Sequence, residues 1–300
     1  MRYNAKQIVL FLFLAVFFIQ AGPFAAGALY GGSEASSSSH SIFSVKIMGG
    51  LNYLILNELN TYIDDNIRYL ENNKDPGSVQ GKNNHLHFGP NVEIDFVLHI
   101  TPRIGICLGT GYINGSVDSG EITWTVDLTR DFMDSEIWKV RAIPIRCGLQ
   151  FLLPLSLKLN LVLDGGAGYY LGHFSYLRQF ETWAAEGKVD IKADKNVFGF
   201  YGGAALEYVI SSKTAIFLQI KGKQVSFSGL EGEALEAGES IWGPFNETGT
   251  SRLYLYDLED DYLILNWRST PPDGPDEKNV RDGIFNLSGV SASIGFRISF

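Results

Sequence analysis

The chain has 300 residues, among them 33 Gly, 20 Phe and 14 Tyr, while charged residues make up only 19% and the formal net charge is −9. Such a glycine-rich, aromatic mix suits a β protein better than a helical one. The acidic balance, with no basic cluster, excludes a nucleic-acid partner.

At the amino terminus Arg2 and Lys6 precede an unbroken apolar run from Ile8 to Ile19, followed by small residues ending in Ala26, Gly27 and Ala28. This pattern predicts a cleaved export signal over residues 1–28. The run is 12 residues long, too short for a transmembrane helix of ~20, and no cysteine stands nearby to take a lipid anchor. Losing Arg2 and Lys6 moves the net charge from −9 to −11. Residues 29–41 (LYGGSEASSSSHS) are small, polar and aperiodic, a flexible lead. Residues 42–300 then read in period two to the last residue, which predicts one domain.

Eight alternating stretches follow in order: 42–55, 85–100, 103–115, 137–153, 157–173, 197–210, 214–227 and 289–300. The second is typical: Leu86, Phe88, Val92, Ile94, Phe96, Leu98 and Ile100 fall on one face, His87, Gly89, Asn91, Glu93, Asp95 and His99 on the other. Connections around Thr101, Pro154 and Ser212 are three or four residues long, whereas 56–84, 116–136, 174–196 and 228–283 are long. Short turns on one side and long loops on the other predict an all-β fold, an eight-stranded antiparallel transmembrane up-and-down β-barrel with long extracellular loops and short periplasmic turns.

A soluble sandwich or lipocalin shares the period with its apolar set turned inward. Strands of 13 to 17 residues exceed the usual five or six of soluble sheets and cover the ~10 needed to cross an outer membrane. Phe43, Phe88, Tyr112, Trp138, Phe151, Phe198, Tyr208 and Phe300 fall near strand ends, where interfacial girdles belong. The apolar set is therefore placed on lipid.

Eight strands leave an interior that side chains fill. The inward residues include Lys46, Glu93, Asp95, Arg146, Asp164, Glu207, Lys221 and Arg297, a charge network with Glu93, Asp95, Arg146, Asp164 and Lys221 at one level and Lys46, Glu207 and Arg297 lower. Opposite charges at matching heights neutralise each other in an interior that would not accept them singly. The reading is a structural plug of ion pairs; its alternative is a conducting path through a charged lumen.

Other segments carry narrower expectations. Cys107 faces in and Cys147 faces lipid, so no disulfide is expected. In NELNTYIDDNIRYLENN, Leu59, Ile63, Ile67 and Leu70 recur at helical spacing, predicting an amphipathic helix over the barrel mouth. Residues 229–283 hold 13 acidic and four basic residues. Within them Arg252–Tyr256 and Tyr262–Trp267 alternate about the acidic turn 257–261, predicting a hairpin above the membrane; its strands are too short to be a ninth and tenth membrane strand. That turn lacks the D-x-D-x-D-G spacing of a calcium loop and reads as solvated acidic surface. Pro271–Pro275 is a stiff turn.

The last strand, GVSASIGFRISF, alternates strictly and ends on Phe300. It resembles the closing strand of bacterial outer-membrane β-barrels, where such an ending is the assembly signal. The resemblance implies residence in the bacterial outer membrane, outer-membrane lipid around the strands, and the barrel assembly machinery as a partner through Phe300. Over residues 42–300 the chain resembles small barrels such as the membrane domain of the OmpA-like proteins and other porin-like barrels. It lacks their peptidoglycan-binding domain, so wall anchoring does not carry over. His173-Phe174-Ser175 resembles the H-x-S pair of outer-membrane lipid A deacylases, in which His activates Ser; here the pair enters a loop, with no acid fixed on an adjacent strand. The sequence thus predicts a non-enzymatic membrane protein with a structural or loop-mediated binding role. It has no catalytic, metal or cofactor site, and its loop ligand is unidentified. A small-solute or ion channel is the alternative, and a lipid A-modifying hydrolase stands behind it.

Overall fold

The computed structural model describes residues 42–300 apart from 74–78, 81–84, 86, 127–129 and 259–261. The expected signal and lead, and the acidic residues Glu259 to Asp261, lie outside the described residues. The architecture is an all-β antiparallel sheet with one helix. No described helix is long and apolar enough to cross a membrane, which says nothing of strands.

In chain order the elements are β1 (Phe43–Leu54), α1 (Asn57–Asn73), β2 (Val79–Gln80), β3 (Phe88–His99), β4 (Ile104–Val126), β5 (Arg130–Pro154), β6 (Leu159–Glu181) and β7 (Ala185–Val209). They continue with β8 (Thr214–Gln224), β9 (Ser226–Ser228), β10 (Glu231–Ser240), β11 (Gly243–Leu258), β12 (Tyr262–Arg268), β13 (Glu277–Asp282), β14 (Ile284–Asn286) and β15 (Gly289–Ser299). Antiparallel pairings lead from β1 through β3, β4, β5, β6, β7, β8 and β15 back to β1. Tight turns join β3 to β4, β6 to β5 and β8 to β7, held by hydrogen bonds such as Thr101 N to Ile104 O (3.1 Å) and Ser156 N to Leu159 O (3.0 Å).

The central strands are longer than their sequence reading. Segments 116–136 and 174–196, expected as loops, are mostly strand: β4 and β5 pair from Ile104↔Phe151 to Val126↔Arg130 with a register shift between Asp118 and Glu121, and β6 and β7 pair in one register from Leu159↔Tyr208 to Glu181↔Glu186. The physical reason is an inversion of polarity halfway along each strand. On β5 the outward residues Leu149, Ile145 and Ile143 are exposed and apolar, and then give way to exposed Arg141 and Lys139. On the opposite face Gln150 and Arg146 give way to Ala142, Val140 and Trp138, all buried. Trp138 is thus a correction: it was expected in an outward girdle, but its even parity turns it inward, 2% exposed, against Tyr62, Tyr176 and Phe285.

The inverted upper halves of β4 to β7 are extended by β10, which pairs with β7, then by β11 and β12. The expected hairpin is present, from Arg252↔Arg268 to Leu258↔Tyr262. It joins this upper sheet and does not pair with β1, β3 or β15. Helix α1 forms over the expected residues and buries Leu59, Tyr62, Ile63 and Leu70. With Phe227 on β9, Phe285 on β14, and Leu253, Leu255 and Leu265 from the hairpin, it makes one apolar core inside the long-loop end.

Candidate functional site

The buried face of the strands carries two layers, an ionic one toward the short turns and an apolar one toward the long loops. In the ionic layer Lys46, Glu93, Asp95, Arg146, Asp164, Glu207 and Lys221 are 1–7% exposed. Arg146 donates to Glu93 Oε2 at 2.6 Å and to Asp95 Oδ1 at 2.9 Å, and Lys221 donates to Glu93 Oε2 at 2.7 Å. Tyr201 lies 5.5 Å from both cations, its ring face toward them. Gln219 donates to Asp164 at 3.0 Å, and Lys46 donates to Gln150. Nearer the short turns Arg297 meets Glu207 at 3.2 Å, and Asn160 donates to the same carboxylate at 2.9 Å.

Of the sequence-expected residues, Glu93, Asp95, Arg146 and Lys221 contact one another and Glu207 contacts Arg297, whereas Asp164 meets Gln219, and Lys46 bonds to Gln150 and lies 5.5 Å over Phe217. Neither Gln150 nor Tyr201 was singled out in sequence, because an uncharged residue at an inward position gives no signal before its neighbours are known. Several of these contacts join strands that do not pair with each other: Lys46 on β1 reaches Gln150 on β5, and Lys221 on β8 reaches Glu93 on β3. Close packing makes this fit. A Cβ added at Gly109 would lie 2.0 Å from Asp95 Oδ1, and one at Gly148 would lie 2.5 Å from the Tyr201 hydroxyl.

Above this layer one carboxylate stands inside the apolar core. Glu136, 5% exposed, accepts hydrogen bonds from Tyr62 Oη at 2.8 Å, Tyr176 Oη at 3.0 Å and Trp138 Nε1 at 3.0 Å. Burial, with neighbouring Asp134, pushes its carboxyl above the usual carboxylate range. Asp134 itself is held by Arg178, whose Nε and Nη2 donate at 2.7 to 3.0 Å. Helix α1 is tied to the same end by Asn72 donating to Tyr262 Oη at 2.8 Å and by Leu263 N donating to Asp65 at 2.9 Å.

The upper sheet curves around a cavity of about 740 Å³. Trp124, Phe132, Tyr176, Phe180 and Trp267 supply its aromatic wall, and Thr248, Thr250, Ser251 and Asn266 part of its polar wall. This cavity was not foreseen, since it is lined by residues expected in loops.

On the outer face His173 is not at a loop but within β6, and Asp194 stands directly across from it on β7, its Oδ1 2.7 Å from His173 Nδ1. This corrects the expectation that no acid is fixed on the adjacent strand. Both side chains are well exposed, at 45% and 81%, and Ser175 forms no hydrogen bond to the ring among the described residues. Cys107 is buried and Cys147 exposed, both free, on opposite faces of neighbouring strands.

No family model matches the chain, and no curated protein matches it. Among solved structures it is similar to the outer membrane protein OprG from Pseudomonas aeruginosa, at 11% identity over 88% of this chain and 99% of that one, with a TM-score of 0.37. A Pseudomonas aeruginosa FadL homologue is similar at 7% identity over 86% and 89% of the two chains, with a TM-score of 0.13.

Proposed function

We propose that the chain is an integral protein of the bacterial outer membrane: an eight-stranded transmembrane up-and-down β-barrel, non-enzymatic, with a plugged, ion-paired lumen and a binding role at its long-loop end. The carrying observation is the outward face. Ile47, Phe96, Leu108, Ile145, Leu206, Leu218, Ile294 and Phe296, from seven of the eight strands paired in a cycle, are each 45–67% exposed, and Tyr169 on the eighth, β6, is 36% exposed. Monomeric soluble proteins rarely expose a contiguous apolar surface of this extent, and one this large marks contact with a membrane or another protein. On β5 the apolar outward stretch runs from Ile143 to Leu153, about 34 Å along the strand and roughly 26 Å in height at the usual tilt, the height of a barrel's lipid-facing band. Its upper margin carries Tyr53, Phe88, Tyr112, Tyr169 and Phe198, all exposed, as an interfacial girdle does.

The contacts across the axis favour a plug over a pore. In a planar bilayer the protein is expected to give no steps of current at moderate voltage. Reproducible single-channel conductance would remove the plug and install the small-solute or ion channel in its place. The His173–Asp194 contact gives the lipid A hydrolase reading an acid it lacked in sequence. Lipid A whose acyl pattern changes with wild type but not with Ser175→Ala would overturn the non-enzymatic assignment.

A further inference from the structure

We infer that Lys139 and Arg141, on the outward face of β5, dock the phosphate-bearing headgroup of a lipid in the leaflet nearest the long loops; this rests on the membrane assignment above. The strand fixes their height. Ile145 and Ile143 are 55% and 45% exposed on the same face, and the exposed Arg141 and Lys139 follow two and four residues beyond Ile143. At ~3.3 Å per residue and the usual tilt, they stand roughly 5 and 10 Å above that last apolar side chain. The headgroup layer of a bilayer is about 5–8 Å thick on each side of the hydrocarbon. A lipid whose tails lie against Ile143 and Ile145 therefore carries its phosphate at the level of the two cations.

The charge at this level is in surplus. Among the described residues neither Lys139 nor Arg141 meets a carboxylate. Arg141 lies between Asn114 of β4 and His173 of β6, and Lys139 between Ser116 and Ser175. Acids nearby are engaged or farther from the belt: Asp194 holds His173 at 2.7 Å, Asp190 holds Lys192 at 3.4 Å, and Asp118 stands one row higher, across from Ile137. The surplus also runs against the rest of the long-loop end, where residues 229–283 hold 13 acidic and four basic residues. Positive charge in the rows next to the apolar belt matches an anionic membrane surface, which draws each lysine or arginine beside it. The guanidinium fork of Arg141 grips a phosphate through two N–H groups and Lys139 adds a point charge. Asn114, Ser116 and Ser175 flank them with further hydrogen-bond donors.

The test is native mass spectrometry of the full chain released from phosphatidylcholine nanodiscs doped with diphosphorylated lipid A or with the same lipid stripped of its phosphates. The phosphorylated form is expected to stay bound and the stripped form not. Lys139→Gln with Arg141→Gln is expected to weaken retention roughly thirtyfold, the effect of two cations at an anionic surface, and Lys139→Arg to keep it. The matched pair Lys188→Gln with Lys192→Gln, which removes two cations from β7, is expected to retain the lipid as wild type does. Equal retention of the two lipids, full retention by the β5 double variant, or an equal loss in the β7 pair would overturn the site. Displacement by inorganic phosphate would overturn it as well, making the patch a site for the free anion. Insertion is read separately, as protection of the strands from protease in vesicles. A chain that inserts yet treats the two lipids alike defeats this inference alone, and one that stays out of vesicles defeats the membrane assignment.

Discussion

Arg146 satisfies Glu93 and Asp95 at once, and all three are nearly removed from water. A guanidinium fork suits this task because its donors are fixed in one plane and its charge is permanent. Replacing it with Met leaves two buried carboxylates facing the single ammonium of Lys221, a loss of about 3–5 kcal/mol. Reversible urea unfolding of Arg146→Met from vesicles measures it, and adding Glu93→Gln should recover part of the loss. A cost below ~1 kcal/mol would mean that the ionic layer does not hold the interior. The two cysteines show how parity alone decides chemistry: one residue of register places Cys107 inside and Cys147 outside, so neighbouring thiols never meet.

At the scale of elements, α1 is held to the wall through Glu136, which accepts from Tyr62 of the helix and Tyr176 of β6. The raised pKa of Glu136 means that its protonated form favours the docked state. That contribution is complete below the ordinary value of 4.5 and disappears as pH rises through the folded value. Thermal unfolding of the long-loop end, followed by tryptophan fluorescence, should therefore fall with rising pH in wild type and stay flat in Glu136→Gln. Parallel slopes in the two proteins would remove the carboxyl from this role. Much of the element list was legible in sequence, because period-two alternation and helical spacing are local: α1, the eight ring strands and the β11–β12 hairpin all declare themselves. The upper halves of β4 to β7 did not. A strand whose apolar residues change face midway loses its single alternation, as β5 does between Ile145 and Ile143 on one face and Val140 and Trp138 on the other, so the predicted stretch began only at Ile137 and gave Trp138 the wrong face. The cavity was hidden for the same reason, since its walls are those upper halves. The ionic layer was legible as a set of residues but not as a set of partners, because contact across an axis depends on how far each strand is sheared against the next.

For the molecule as a whole, the assignment depends on which medium meets the exposed apolar belt. Leu108 stands midway between Ile104 and Tyr112 on the outward face of β4, whereas Ser116 points outward beyond the aromatic margin. In a barrel, arginine at the bilayer midplane costs ~2–4 kcal/mol and near the interface ~0–1. Leu108→Arg should therefore lower folding stability in vesicles by that larger amount, and Ser116→Arg by little. Equal small effects would place both residues in water and make the chain a secreted carrier. On the membrane assignment proposed above, the same belt accounts for the polarity inversion: strands leaving hydrocarbon for water would have to turn their apolar faces inward to keep a core.

The seam between β1 and β15 has a kinetic consequence. It brings together segments some 250 residues apart, an entropic penalty on the order of 5 kcal/mol that no earlier hairpin can share. Every other neighbour in the cycle is met soon after synthesis, so the half-made wall waits with two raw margins, each able to zip onto a second chain. The time spent unsealed, more than the strength of any bond in the finished protein, sets how readily it is lost to aggregation, and a helper that shields those margins would raise yield without touching stability.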